Sequence, residues 1–186
     1  MIEKKQIEES SKVIIQLIKD GKIISPQPLA QKFFSEKSKT ALIISKRLLD
    51  LYDEEQLDSH AWVINTAYYS MFFAATALLA KYNHKINVEQ GIHRLTYHAL
   101  VYYFIKQESK LKNEIMEQYK EAVAQAENLL QLSEKKIMTL VDNFNLEQEK
   151  RKTFTYELGK IAERNKALLS YERAKKFFRE VEMIID

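Results

Sequence analysis

The chain has 186 residues, enough for one ordinary domain, and its 46% hydrophobic side chains supply a core and exclude a disordered chain. Three Gly and two Pro, where average usage gives about 13 and about 9, are too few turn residues for a β-sandwich or barrel, so most of the chain is read as long helices. The formal charge of +3 is spread evenly, unlike the lopsided basic face of a duplex-DNA binder, and the absence of Cys removes disulfides, thiolate zinc sites and cysteine nucleophiles.

A first helix is predicted over Glu3–Asp20, closed by Gly21, the residue type that stops a helix in the left-handed conformation. Ile23–Pro28 contains both prolines, cannot be helical and is read as a hinge. Residues 1–25 are thus expected to form an N-terminal helical extension, and residues 26–186 the main helical domain. The second helix starts near Pro28 and carries Phe33, Ala41, Ile44, Leu48 and Tyr52 at helical spacing; Asp53–Ser59 is a polar turn, with Ser59 or Asp58 as the next N-cap. Ala61–Ala80 then runs 20 residues without a formal charge, a length that could span a bilayer. Its scattered Asn65, Thr66, Ser70 and Thr76, among amphipathic neighbours, favour a central bundle helix buried on every side rather than a membrane span. Met1–Ser11 is charged and polar, unlike a signal peptide, and a cytoplasmic location is expected.

Asn83–Gln90 is a loop, and Ile92–Gln107 a fourth helix. From Glu108 to Phe144 there is no Gly or Pro, and Leu111, Ile115, Ala122, Ala126, Leu129, Ile137, Leu140 and Phe144 form a heptad-like seam. One long helix is expected there, and the length of its seam points to a homodimer. Leu146–Leu169 has no clean period. A last helix follows, with Ser170 as N-cap and Tyr171, Ala174, Phe178, Val181 and Ile185 on one stripe.

Chemistry is sparse. The histidines are His60, His84, His93 and His98; no two stand four apart and there is no ExxH pair, so no metal site and no cofactor is expected. His98 is read as a packed or hydrogen-bonded histidine, and phosphate-cradling glycine loops are absent. The tyrosines Tyr68, Tyr69, Tyr97, Tyr102 and Tyr103 could stack on bases but are read as core. Lys150, Arg151 and Lys152 form the only run of three basic residues, immediately before Thr153, Phe154, Thr155 and Tyr156.

Four segments carry a family resemblance. Asn65-Thr-Ala-Tyr-Tyr-Ser-Met-Phe-Phe-Ala-Ala-Thr-Ala-Leu-Leu-Ala80 resembles the AYY helix of HEPN-domain proteins, and Gly91-Ile-His-Arg-Leu-Thr-Tyr-His98 is similar to the start of that family's next helix. Arg151-Lys-Thr-Phe-Thr-Tyr156 and Tyr171-Glu-Arg-Ala-Lys-Lys-Phe-Phe178 resemble two later elements, in the right order. The resemblance covers about Phe33 to the C-terminus. It implies an antiparallel bundle, commonly dimeric, in a family with many metal-independent ribonucleases that are often paired with a nucleotidyltransferase-type protein.

Cleavage by the 2′-hydroxyl needs a proton acceptor and a cation for the charge on phosphate, roles suited to His and Arg. Here the fifth position after Arg151 is Tyr156, not His, and a second register reads Arg164 with Leu169 in the His position. Arg94 and His98 have three residues between them, on a helix that is not the expected one. The resemblance therefore implies a non-catalytic or degenerate module that binds nucleotide or RNA or acts as a regulator. An RNase using Arg151 with a non-His partner such as Tyr156, and a purely structural interaction module, are the alternatives. An anionic ligand is expected at Lys150, Arg151, Lys152 and Tyr156, where guanidinium and ammonium would hold phosphate.

Overall fold

Helix α1 (Lys4–Lys19) begins where Glu3 and Gln6 close a capping box, the Glu3 N–H donating to Gln6 Oε1 at 3.0 Å. It ends in a Schellman turn: Lys22 N–H donates to the Leu17 carbonyl at 2.8 Å and Gly21 N–H to Ile18 at 3.1 Å, with Gly21 at φ 65°. The computed structural model that shows this describes residues 2–55, 59–107, 111–144 and 162–185. Within them the chain is an all-α bundle of six α-helices and one π-helical turn, with a single two-residue strand pair.

That pair ties down the segment read as a hinge. β1 (Ile23–Ile24) pairs antiparallel with β2 (Lys85–Ile86), Ile23 opposite Ile86, and Asn87 N–H adds a bond to the Lys22 carbonyl at 2.8 Å. The prolines bar a helix here, but they leave the extended backbone free to find a partner in the loop after α3. The N-terminal helix is docked as well: Ile14 is fully buried and Ile2 nearly so, in the same core cluster as the later helices.

Helix α2 (Ala30–Glu55) extends into the predicted polar turn, and α3 (His60–Lys81) follows. Ser59 stands at the N-cap position of α3, but its hydroxyl donates to the Leu48 carbonyl across the turn rather than capping. The two helices pack antiparallel through small side chains. Ser38 Oγ donates to the Ser70 carbonyl at 2.8 Å, Ser70 Oγ donates to the Ser38 carbonyl at 2.9 Å, and Ser45 Oγ reaches the Val63 carbonyl at 3.1 Å. All three serines are fully buried. The inner face of α2 is therefore Ser38, Ala41, Ser45 and Leu49, while Phe33 and Ile44 of the apolar stripe face outward.

Helix α3 is central but is not covered on every side, as its composition suggests. Among the described residues it is the one helix long and apolar enough to cross a membrane, and 61% of that window is buried inside the protein. Trp62, Thr66, Tyr69, Phe73 and Thr76 make a stripe spaced by four and three residues; Trp62 is 65% and Tyr69 39% exposed, while Thr66, Phe73 and Thr76 are half-buried and Phe34 of α2 stacks on Phe73. Among the described residues, Trp62 and Tyr69 on this edge are left to solvent.

Helix α4 (Ile92–Leu100) passes directly into a π-helical turn, Val101–Gln107, instead of continuing as one α-helix. The wider turn spreads three consecutive aromatic side chains: Phe104 enters the core against Tyr82, while Tyr103 stacks on His84 at 3.8 Å. Lys106 from this turn donates to Ser11 Oγ of α1 at 2.9 Å.

The long helix is as expected: α5 runs over Asn113–Phe144. Helix α6 (Ala162–Ile185) starts earlier than its predicted cap, and Ser170 lies inside it, buried and donating to Gln125 Oε1 of α5 at 3.0 Å. With Arg173–Glu121, Lys176–Glu114 and Lys112–Glu180, this contact sets α5 and α6 antiparallel. Lys81 meets the Ile185 carbonyl, and Val63 and Ile64 share a cluster with Ala167, so α6 runs parallel to α3. Leu111, Ile115, Ala122 and Ala126 of the predicted seam are buried in the chain's own core.

Candidate functional site: a polar cleft between three helices

Spacing along α4 builds the site. Arg94 and His98 are four residues apart, one helical turn, and so project from one face with Tyr97 beside them. Glu127, Ala124, Val123 and Lys120 of α5 face them, and Gln6, Glu9 and Ser10 of α1 form the third wall; the cleft has a volume of about 320 Å³.

His98 is held at Nδ1 by Ser10 Oγ, 3.0 Å away, which confirms its reading as a hydrogen-bonded histidine. Ser10 itself is fully buried, so its role is to orient the ring, not to attack a substrate. Burial lowers the His98 pKa, with the Glu9 carboxylate opposing and Arg94 adding to the effect, so the imidazole is neutral near pH 7. Arg94 and Glu127 pair at 3.7 Å on the open side, both well exposed, an arrangement worth at most about 1 kcal/mol.

Two other groups are less satisfied. The Tyr97 hydroxyl is buried with no hydrogen-bond partner among the described residues, although Tyr97 lines the cleft and is only 8% exposed. Burial, with the nearby Glu117 and Glu9 carboxylates, pushes its pKa up to about 12, so it remains an O–H donor at any physiological pH. Lys120 also lines the cleft and makes no ion pair among the described residues.

Behind the cleft, His93 is packed among Phe72, Tyr68 and Tyr69, with ring centroids at 4.4, 5.3 and 6.1 Å. Burial lowers its pKa, against the pull of Glu127. Both histidines are thus held neutral in the folded state. Below 6.5 the unfolded chain takes up their protons first, so their contribution to stability is complete above that value and is lost as pH falls through the folded-state values. The urea midpoint is therefore expected to drop between pH 8 and pH 5 by more in the wild type than in His93→Gln/His98→Gln; equal drops would refute this.

The sequence-predicted ligand residues Lys150, Arg151, Lys152 and Tyr156 lie outside the described residues. Of the second register, Arg164 and Leu169 are on α6, Leu169 half-exposed. Of the tyrosines weighed for stacking, Tyr68, Tyr97 and Tyr103 are core residues and Tyr69 presents an open face. No group of three or more His, Asp or Glu side chains gathers into a metal-binding arrangement among the described residues. Sequence reasoning passed over Gln6, Glu9, Ser10, Lys120 and Glu127. The four-residue step from Arg94 to His98 was the available signal, and the α1 and α5 partners have none, because folding alone brings them there.

The fold and cleft together define an all-α bundle with a polar, mixed-charge pocket at the junction of its N-terminal helix and main body. No protein-family model matches the chain, and no curated protein matches it.

Proposed function

We propose that this chain is a HEPN-type helical module that binds a nucleotide or RNA phosphate in the α1–α4–α5 cleft without cleaving it, as a cytoplasmic regulatory protein. The observation that carries the reading is the cleft's inventory: Arg94 and Lys120, the latter in no ion pair among the described residues, as phosphate holders above the buried Tyr97 side chain. The sequence resemblance supports the family assignment and, with it, a homodimer and a nucleotidyltransferase-type partner. For the homodimer, the supporting residues are Trp62 and Tyr69, exposed on the uncharged stretch of α3, with Phe33 and Ile44 exposed on α2, rather than Leu111, Ile115, Ala122 and Ala126 of the α5 seam, which are buried; Leu129, Ile137, Leu140 and Phe144 lie outside the described side chains.

Calorimetric titration of nucleoside monophosphates and short single-stranded RNA tests the site. Arg94→Ala and Lys120→Ala are each expected to weaken binding about tenfold, the effect of one charge-assisted hydrogen bond. Arg151→Ala, run in parallel, separates the cleft from the basic triplet. Affinities unchanged by the Arg94 and Lys120 variants would refute the cleft as the site.

One observation favours cleavage as a second reading. His98, neutral near pH 7 and oriented through Nδ1, shares its helix face with a cation, which are the two groups that 2′-hydroxyl attack requires. Incubating total tRNA with the protein without added metal decides it: cleavage that disappears in His98→Gln supports it, and intact RNA with wild type refutes it.

A further inference from the structure

The strand pair that fastens the N-terminal segment also builds a surface. In its register Ile24 stands opposite Lys85 and Ile23 opposite Ile86. Facing residues of an antiparallel pair project to one side and successive residues alternate, so Ile24 and Lys85 share the outer face. Burial agrees: those two are exposed, while Ile86 is buried and Ile23 half-buried. The bond from Asn87 N–H to the Lys22 carbonyl extends the ladder by one step, which adds exposed Lys22 and Asn87 to the same face. Ile18 and Lys19, in the last turn of α1, and Lys32, in the first turn of α2, are exposed on either side in sequence. Leu29, five residues after Ile24, is left-handed at φ 64° and 78% exposed. A bulky side chain is strained in that conformation, which glycine adopts freely. The strain secures little packing inside the protein, so it calls for a contact outside it.

We propose that this end of the bundle rests on an anionic membrane surface, with Leu29 and Ile24 inserted among the acyl chains and Lys19, Lys22, Lys32 and Lys85 on the headgroups. The inference goes beyond the nucleotide reading, and none of these residues lines the α1–α4–α5 cleft. Residues 18–33 and 81–91, the two segments that the strand pair joins, hold five lysines against two carboxylates, Asp20 and Glu89. Lys81 is turned to the Ile185 carbonyl of α6, and the other four lysines make no ion pair among the described residues. Lysine is a compact, hydrated charge on a flexible stem, which suits a fluid layer of headgroups better than a fixed pocket. Its attraction to an anionic leaflet acts through water, so these charges need to be exposed rather than desolvated. Leu29 is the most exposed large hydrophobic side chain among the described residues, and an aliphatic group standing in solvent enters a bilayer without a preformed groove. The protein would lie on the membrane and not span it, since most of the apolar window of α3 is buried in the bundle.

Cosedimentation of the full chain with vesicles tests this, using phosphatidylcholine alone and phosphatidylcholine with about one-third phosphatidylserine. The wild type is expected to pellet with the anionic vesicles, to stay in solution with the neutral ones, and to be released by high salt. Lys22→Glu/Lys85→Glu is expected to weaken binding to the anionic vesicles at least about tenfold. Leu29→Gly is expected to weaken it severalfold while its urea midpoint stays at or above the wild-type value, because glycine relieves the left-handed strain. A loss of binding in that variant therefore cannot come from unfolding. No binding to either vesicle, or equal binding to both, would overturn the proposal. So would anionic-vesicle binding that survives the lysine reversals or Leu29→Gly. Single-stranded RNA is the parallel ligand: RNA binding lost in the double variant, with no vesicle binding, would make the surface a nucleic-acid site and overturn the membrane assignment.

Discussion

Ser38→Leu is expected to destabilise the protein by about 3 kcal/mol or more, a large part of the 5–15 kcal/mol typical of a domain. The side chain at 38 is fully buried at the α2–α3 crossing, where each of two serines donates to the other's carbonyl. Those reciprocal bonds require the backbones to lie close together. A leucine must push the helices apart, which costs about 1–3 kcal/mol for overpacking, and it also removes a buried hydrogen bond worth about 1 kcal/mol. Ser38→Ala is the control: it keeps the close approach and should cost about 1 kcal/mol. Urea unfolding followed by circular dichroism measures both. If leucine costs no more than alanine, the crossing is not tight and this account of α2 is wrong.

The second large effect concerns assembly. At micromolar concentration, light scattering is expected to report about twice 21.9 kDa for the wild type and about 21.9 kDa for Trp62→Glu. Trp62 is 65% exposed, so a carboxylate there meets solvent in the monomer and should leave the helical content unchanged. In a dimer that buries the α3 stripe, a charge at 62 would be desolvated without a partner, a cost of several kcal/mol. The stripe suits self-pairing because Ala61–Ala80 has no charge to repel a second copy. A wild-type monomer, or a Trp62→Glu variant that stays dimeric, would rule this face out.

Much of the fold is legible in the sequence because helix punctuation is local. Gly21 closes α1, the two prolines end any helix at Ile23–Pro28, and the uninterrupted run after Glu108 contains α5. Which side of a helix faces inward is less local. On α2 the apolar stripe through Phe33 and Ile44 points out and the serines point in, since hydroxyls donating to a neighbour's carbonyls allow a closer approach than branched side chains. On α6 the fully buried ring is Phe177, one residue from the predicted Phe178, as the helix settles against Tyr119 at 5.2 Å. Ser170 has an N-cap's identity but the surroundings of an interface serine.

The cleft was half legible. Arg94 and His98 stand out in sequence once α4 is known to be helical, whereas Glu9, at a distance of nearly ninety positions, joins them only because α1 folds back. The docking rests on contacts between residues far apart in sequence: Ile2 and Ile14 in the core, Ser10 on His98, a two-residue strand pair and Lys106 on Ser11.

The turn at Val101–Gln107 works as a phase shifter. A π-helical turn absorbs one residue more than an α-turn without unwinding the helix, so side chains before and after it cannot be placed on a single helical wheel. With this turn's phase, Phe104 falls inside and Lys106 falls on Ser11. Shortened by one residue, the segment would relax to α-geometry and rotate Lys106 away from Ser11 of α1. A single-residue insertion in one helix is thereby coupled to the placement of another that lies far away in the chain. It also means that a chain of the same shape without the extra residue would align with this one only across a one-residue gap, inside a helix, where gaps are least expected.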